Sequence, residues 1–114
     1  MKVLLDENID HRLRKHLGSH DVVTASFRGW DGLKNGKLLE AAEGEGFEVL
    51  VTGDQTLSYE QNLTHRQLAI VALSSVEWRI IREYLPAIIS AVSAATPGSF
   101  RAVNCGKFSR KQRE

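Results

Sequence analysis

The stretch that decides the fold is Leu38-Leu-Glu-Ala-Ala-Glu-Gly-Glu-Gly-Phe-Glu-Val-Leu-Val-Thr-Gly-Asp54. Leu38, Leu39 and Ala42 fall on one face of a helix that Asn35 caps and that runs to about Glu45. Gly46 supplies the stop. Phe47 to Thr52 then reads as a strand, apolar and β-branched, finished by Gly53-Asp54. A helix turning straight into an apolar strand with an acid at its end is one repeat of an α/β sheet.

Outward from this segment the same unit recurs. Lys2-Val-Leu-Leu-Asp6 is a short strand whose apolar residues are contiguous rather than alternating, as expected of a strand covered on both faces. Ile9, Leu13 and Leu17, at spacing four, predict a first helix capped by Asn8 or Asp10 and stopped by Gly18. His20 to Thr24 is a second strand, and residues 25–34 form a loop. Residues 55–67 are polar, with room for a short helix, and Gln67 to Leu73 is a fourth strand. A long amphipathic helix from Val76 to Ala94 follows, its inner face made of Trp78, Ile81, Leu85, Ile88, Ile89 and Val92. Pro86 must kink that helix or begin a new segment. Pro97-Gly98 is a turn and Phe100 to Val103 a last strand. The alternation predicts a three-layer α/β/α fold with a mostly parallel sheet of four or five strands. It occupies one domain, residues 1–106, with a charged tail at 107–114.

Composition narrows the class. Apolar residues make up 42% and charged residues 25% of the chain, which places it among globular domains. Cys105 is the only cysteine, so no internal disulfide can form, which suits a reducing, cytoplasmic setting. No basic segment and apolar core precede the first strand, so no signal peptide is expected, and no run suffices to span a membrane. Net charge is +1 but unevenly placed: residues 1–60 carry 11 acids against 7 bases, residues 61–114 carry 3 against 8. An acidic first half suits a cation, a basic second half a polyanion.

In open parallel sheets, ligands bind outside the carboxyl ends of the strands. Asp6 and Asp54 both stand at such ends, with Glu7 and Glu40 in reach and Asp31 in reserve. Converging carboxylates repel one another, and Mg²⁺ or Mn²⁺ relieves that repulsion while supplying a Lewis acid. Against this stands the plainer reading that each Asp caps a turn. His11 and His16 are five apart and do not share a helix face as zinc ligands would; His20 and His65 stand alone. Trp30, between Gly29 and Asp31-Gly32, could stack on a base, although such a Trp more often packs on its own domain. Arg66, Arg79, Arg82 and Arg101 are candidates for phosphate contact. So are Arg110, Lys111 and Arg113, but a solvated end suits that tail better. Tyr59, Gln61 and Asn62 follow Asp54 and offer hydrogen bonds to bases or sugars. The helix from Val76 to Ala94 carries more large apolar residues than one face needs, which points to a homodimer or a partner groove there.

The opening Val-Leu-Leu-Asp6-Glu7-Asn8, together with the segment from Asn35 to Thr52-Gly-Asp54, resembles the small stand-alone bacterial PIN-like domains. The likeness covers residues 2 to about 63, and Thr52-x-Asp54 is its more specific part. It implies a divalent metal, Mg²⁺ or Mn²⁺, held by acids matched here by Asp6 and Asp54, hydrolysis of RNA, and an antitoxin protein as partner in a toxin–antitoxin pair; Asn35, Glu40 or Glu7 are the auxiliary ligands in reach. It makes Thr52 the hydroxyl that supports the site. The family usually places a further acid at the start of the preceding helix. Here that position is Asn35, an amide and a weaker ligand, and Glu40 lies a turn further on. A catalytically weak module that binds RNA or a protein is the alternative. A receiver-like phosphoacceptor centred on Asp54 is the third reading. It lacks the Met-Pro turn and the Lys-Pro that receivers usually carry.

Overall fold

A computed structural model of the chain describes residues 1–18, 20–33, 35–57, 62–63 and 65–105, with the side chain of Asn35 left aside. Five strands form one sheet: β1 (Lys2–Leu5), β2 (Asp21–Thr24), β3 (Val49–Thr52), β4 (Ala69–Leu73) and β5 (Phe100–Val103). Their order is β2-β1-β3-β4-β5, and every pairing is parallel. The chain steps from β1 to one side, then crosses back to the other. The reversal leaves a crevice between the carboxyl ends of β1 and β3.

The contiguous apolar strands are explained by two separate cores. Val3, Leu5, Val49, Val51, Val71 and Leu73 face one side, against Leu13, Leu17, Ile81, Ile88 and Val92. Leu4, Leu50 and Ile70, the residues in between, face the other, against Leu38, Leu39, Ala42, Leu57 and Leu63. Because successive strand side chains point to opposite faces, a strand buried on both must be apolar throughout. This is the three-layer α/β/α arrangement, with the sheet wholly parallel.

The helices depart from expectation in two places. The first is a 3-10 helix, His11–His16, capped by Asp10. Leu13 still reaches the core, and Gly18 closes the segment at φ +65°, where only glycine sits without strain. The second is the long helix, which is three pieces: α2 (Trp78–Ile81), a 3-10 turn (Arg82–Tyr84) and α3 (Leu85–Ser93), after α1 (Asn35–Gly44). Pro86 stands in the first turn of α3. Its ring would crowd the carbonyl of Arg82, so the α-helical ladder cannot run through, and the turn before it tightens.

The surplus apolar residues of this segment are not left in solvent. Trp78, Ile80, Tyr84, Leu85 and Ile89 are half-buried against their own core. That removes much of the physical motive for a homodimer through this helix. Among the described residues, no helix is long and apolar enough to cross a membrane. Tyr59, Gln61 and the tail from Lys107, with Arg110, Lys111 and Arg113, lie outside the described residues.

Candidate functional site

The pairing register places Leu5 opposite Val51, and the Asp6 backbone N–H extends the ladder by donating to the Val51 carbonyl at 2.9 Å. Asp6 therefore emerges beside Thr52, and Asp54 follows two residues later. Thr52 is the one polar residue fully buried among the described residues. Its hydroxyl donates to Asp6 Oδ2 at 2.7 Å and accepts from the Asp54 backbone N–H at 3.0 Å. One buried side chain thus holds the Asp6 carboxylate and the backbone of Asp54. A second hydrogen bond, from Glu7 N–H to Asp6 Oδ1 at 2.8 Å, sets the plane of the Asp6 carboxylate. Asp54 Oδ1 takes the N–H and hydroxyl of Thr56 at 2.8 and 2.6 Å, so Asp54 caps its own turn as well.

Asp6, Glu7, Asn8 and Asp54 border a cavity of about 180 Å³ over Leu33, Leu38 and Leu57. Between Thr52 and Asp54, Gly53 packs so closely that a Cβ there would collide with the Val76 side chain, and its N–H approaches Asn8 Oδ1 at 3.4 Å. A wider groove of about 1050 Å³ continues from Asp6 past Asn8, His11 and Arg14 to Thr24 and Phe27. Asp10 lines that groove too, but the hydrogen-bonded guanidinium of Arg12 engages it and brings its carboxyl down to about 2.

The other expected site residues are dispersed. Glu7 accepts the Gly32 N–H at 2.6 Å through Oε1, which ties the end of β1 to the following loop. Among the described residues, no three His, Cys, Asp or Glu side chains converge to hold a metal ion. Three carboxylates without a counter-ion repel one another, and Glu7 has a backbone partner instead. Glu40 and Asp31 are exposed and border neither cavity. Asn35 opens α1 at the same edge of the sheet, and Asn62 is exposed and hydrogen-bonded or otherwise partnered. Arg66 stands at the opposite edge, just before β4, bound to Glu43 at 2.5 Å, so it is not a phosphate contact for Asp6 and Asp54. Trp30 packs edge-on to Phe47 at 6.0 Å beneath the Arg28 guanidinium, so it serves its own domain. Cys105 is buried, and burial pushes its thiol up.

Two site residues escape a reading of the sequence. Asn8 passes for a helix cap, yet it borders both cavities. Phe27 passes for loop filler; the available signal is a bulky apolar residue among Ser26, Arg28 and Gly29, with no periodic partner.

The chain matches no family model, and no curated protein or solved structure matches it significantly. The resemblance to PIN-like domains therefore rests on the residues quoted for it.

The polar side chains that border the smaller cavity are of one chemical type. Asp6, Asp54, Glu7 and Asn8 offer hard oxygens only, which suit Mg²⁺ or Mn²⁺ rather than zinc. Mg²⁺ is usually held by one or two carboxylates, with water and substrate phosphate filling the remaining positions, so a third protein acid is not required.

Proposed function

We propose that the chain is a metal-dependent ribonuclease of PIN-like type, with Asp6 and Asp54 as the acids that hold Mg²⁺ or Mn²⁺. The observation that supports this reading is the Thr52 bridge: a buried hydroxyl joins the Asp6 carboxylate to the Asp54 backbone N–H at the reversal point of the sheet. A bound ion supplies Lewis acidity and lowers the pKa of bound water. The chain's part is to orient. Thr52 and the Glu7 N–H hold Asp6 in one plane, and Thr56 holds one oxygen of Asp54. The apolar floor of Leu33, Leu38 and Leu57 limits water on the inner side. Asn8, which borders both cavities, would donate or accept beside a phosphate. Such preorganised groups act where charge develops, at no reorganisation cost during the reaction.

The test is cleavage of an unstructured RNA in Mn²⁺, in Mg²⁺ and in chelator. The reading expects cutting only with metal, and none by Asp6→Ala. Equal cutting by wild type and Asp6→Ala would show a contaminating nuclease and overturn it. Membership of a toxin–antitoxin pair has its own test: a small antitoxin encoded beside the chain should co-purify with it and suppress the cutting.

The alternative, a module that binds RNA or a protein without cutting, is favoured by the diversion of Glu7 to Gly32. It expects binding that chelator does not change. The receiver-like reading draws on the strand order, which receivers share. It expects phosphate uptake on Asp54 from a small phosphodonor, where Asp54 Oδ1 is already committed to Thr56.

A further inference from the structure

Phe27 is 82% exposed, the most exposed large apolar side chain among the described residues. It is not on a loose segment. Its N–H donates to Thr24 Oγ1 at 3.1 Å, Arg28 N–H to the Ala25 carbonyl at 3.1 Å, Gly29 N–H to Ser26 at 3.0 Å and Trp30 N–H to Ala25 at 2.9 Å. The turn that follows β2 is pinned on itself, with Trp30 directed inward and Phe27 outward. Ala25 N–H donates to the Leu5 carbonyl at 2.8 Å, so this turn begins beside Asp6. Phe27 then lines the open groove that reaches Asp6, Glu7 and Asn8, the residues this groove shares with the smaller cavity bordered by Asp54.

The groove also has a cation to offer. Arg12 is tied to Asp10 and Arg28 to Glu45, whereas Arg14, on the groove wall with His11, forms no ion pair among the described residues. An exposed ring on a pinned turn, a guanidinium with no ion pair among the described residues and the hydroxyls of Thr24 and Ser26 sit along one channel that reaches Asp6. Every base has a π-face, but only an unstacked base can present it to a side chain. The hydroxyls and Asn8 are suited to sugar 2′-OH groups.

We infer that this groove binds single-stranded RNA, with a base stacked on Phe27 and a phosphate against Arg14, and that it feeds the strand to Asp6 and Asp54. The inference rests on reading those acids as a phosphodiester-hydrolysing site, and it adds the groove along which the strand lies and the residues that hold its base and its phosphate. Duplex RNA keeps its bases stacked and leaves Phe27 without a partner.

The test is fluorescence anisotropy with a labelled unstructured RNA oligonucleotide, in chelator so that nothing is cut. The same RNA annealed to its complement and the DNA of the same sequence serve as comparisons. Wild type should bind the single-stranded RNA more tightly than either. Phe27→Ala should weaken binding at least about fivefold, the lower end of what one base–aromatic stack contributes, and Phe27→Trp should preserve it. Arg14→Ala should reduce the dependence of binding on salt by about one phosphate contact. Circular dichroism of the variants, whose substituted side chains lie at the surface, should match wild type. Binding unchanged in Phe27→Ala, duplex or DNA bound as tightly as single-stranded RNA, or no RNA binding at all would overturn the inference. Its failure is separable from that of the metal reading. If Mn²⁺ binds at Asp6 and Asp54 but RNA ignores Phe27, only the groove falls. If RNA depends on Phe27 but Mn²⁺ does not bind, only the hydrolase falls.

Discussion

Replacing Thr52 by valine removes the hydroxyl that joins the two acids while nearly preserving shape. The hydroxyl donates to a carboxylate at Asp6, and hydrogen bonds to charged groups contribute about 1.5–3 kcal/mol. It also accepts the Asp54 N–H, and a donor left without a partner away from water costs about 1–3 kcal/mol. Valine recovers about 1 kcal/mol through a better-buried methyl group, since residue 52 has no exposure. The net expectation for Thr52→Val is a loss of about 2–4 kcal/mol, or roughly 10 °C in melting temperature for a domain of this size. Thr52→Ser keeps both hydrogen bonds and gives up one methyl group, for about 1 kcal/mol. Urea unfolding followed by circular dichroism measures both. If the serine variant is as destabilised as the valine variant, the loss comes from packing and the bridge does not organise the site. If valine is within ~0.5 kcal/mol of wild type, the bridge has no energetic weight, because surface-like changes fall in that range.

Three further outcomes follow from the same geometry. Asp54→Asn keeps an oxygen for Thr56 but removes a charge, so it should raise the melting temperature of the metal-free protein and abolish the stabilisation by Mn²⁺, which at a hundredfold excess over Kd is about 2.7 kcal/mol for a single site; thermal scans with and without Mn²⁺ decide it. Burial pushes the Glu43 carboxyl up, but the N–H groups of Leu68 and Gln67 and the Arg66 guanidinium outweigh it, so the pKa in the fold lies below its ordinary value. The stability this confers is present above the unfolded pKa and is lost as pH falls through the folded one; the acid limb of stability against pH should therefore be shallower in Glu43→Gln, measured by urea unfolding across that range. Asn35→Asp should tighten Mn²⁺ binding if the start of α1 faces the ion, and leave it unchanged in titration calorimetry if residue 35 serves only as a cap.

The sheet was legible because of its burial. Val3-Leu4-Leu5 and Val49-Leu50-Val51 have no alternation, and only strands covered on both faces need none. Strand ends were less so. Phe47 and Glu48 look like strand, but Gly46 at φ +83° turns the chain there, and Phe47 packs against α1 instead of joining the ladder. Pro86 announced a break, but not that the turn before it would tighten to 3-10 geometry. Asp6, Thr52 and Asp54 could be placed because each is fixed by a strand end. Glu7 could not, since its partner, the Gly32 N–H, comes from a loop with no periodicity. Arg66 was misplaced for a related reason: proximity to Asp54 in sequence hides that the chain crosses to the far edge before β4. Phe27 gave only the weak signal of a bulky apolar residue in a polar loop, because exposure is a property of the folded turn.

The most direct measurement is Mn²⁺ binding followed by the electron paramagnetic resonance of the free ion, in wild type, Asp6→Asn and Asp54→Asn. The account predicts that wild type takes up one ion per chain and that each single variant loses most of that binding, because one ion must be shared by the Asp6 carboxylate that Thr52 holds and the Asp54 carboxylate that follows two residues on. Uptake that survives both substitutions, or no uptake by wild type up to millimolar Mn²⁺, would contradict it.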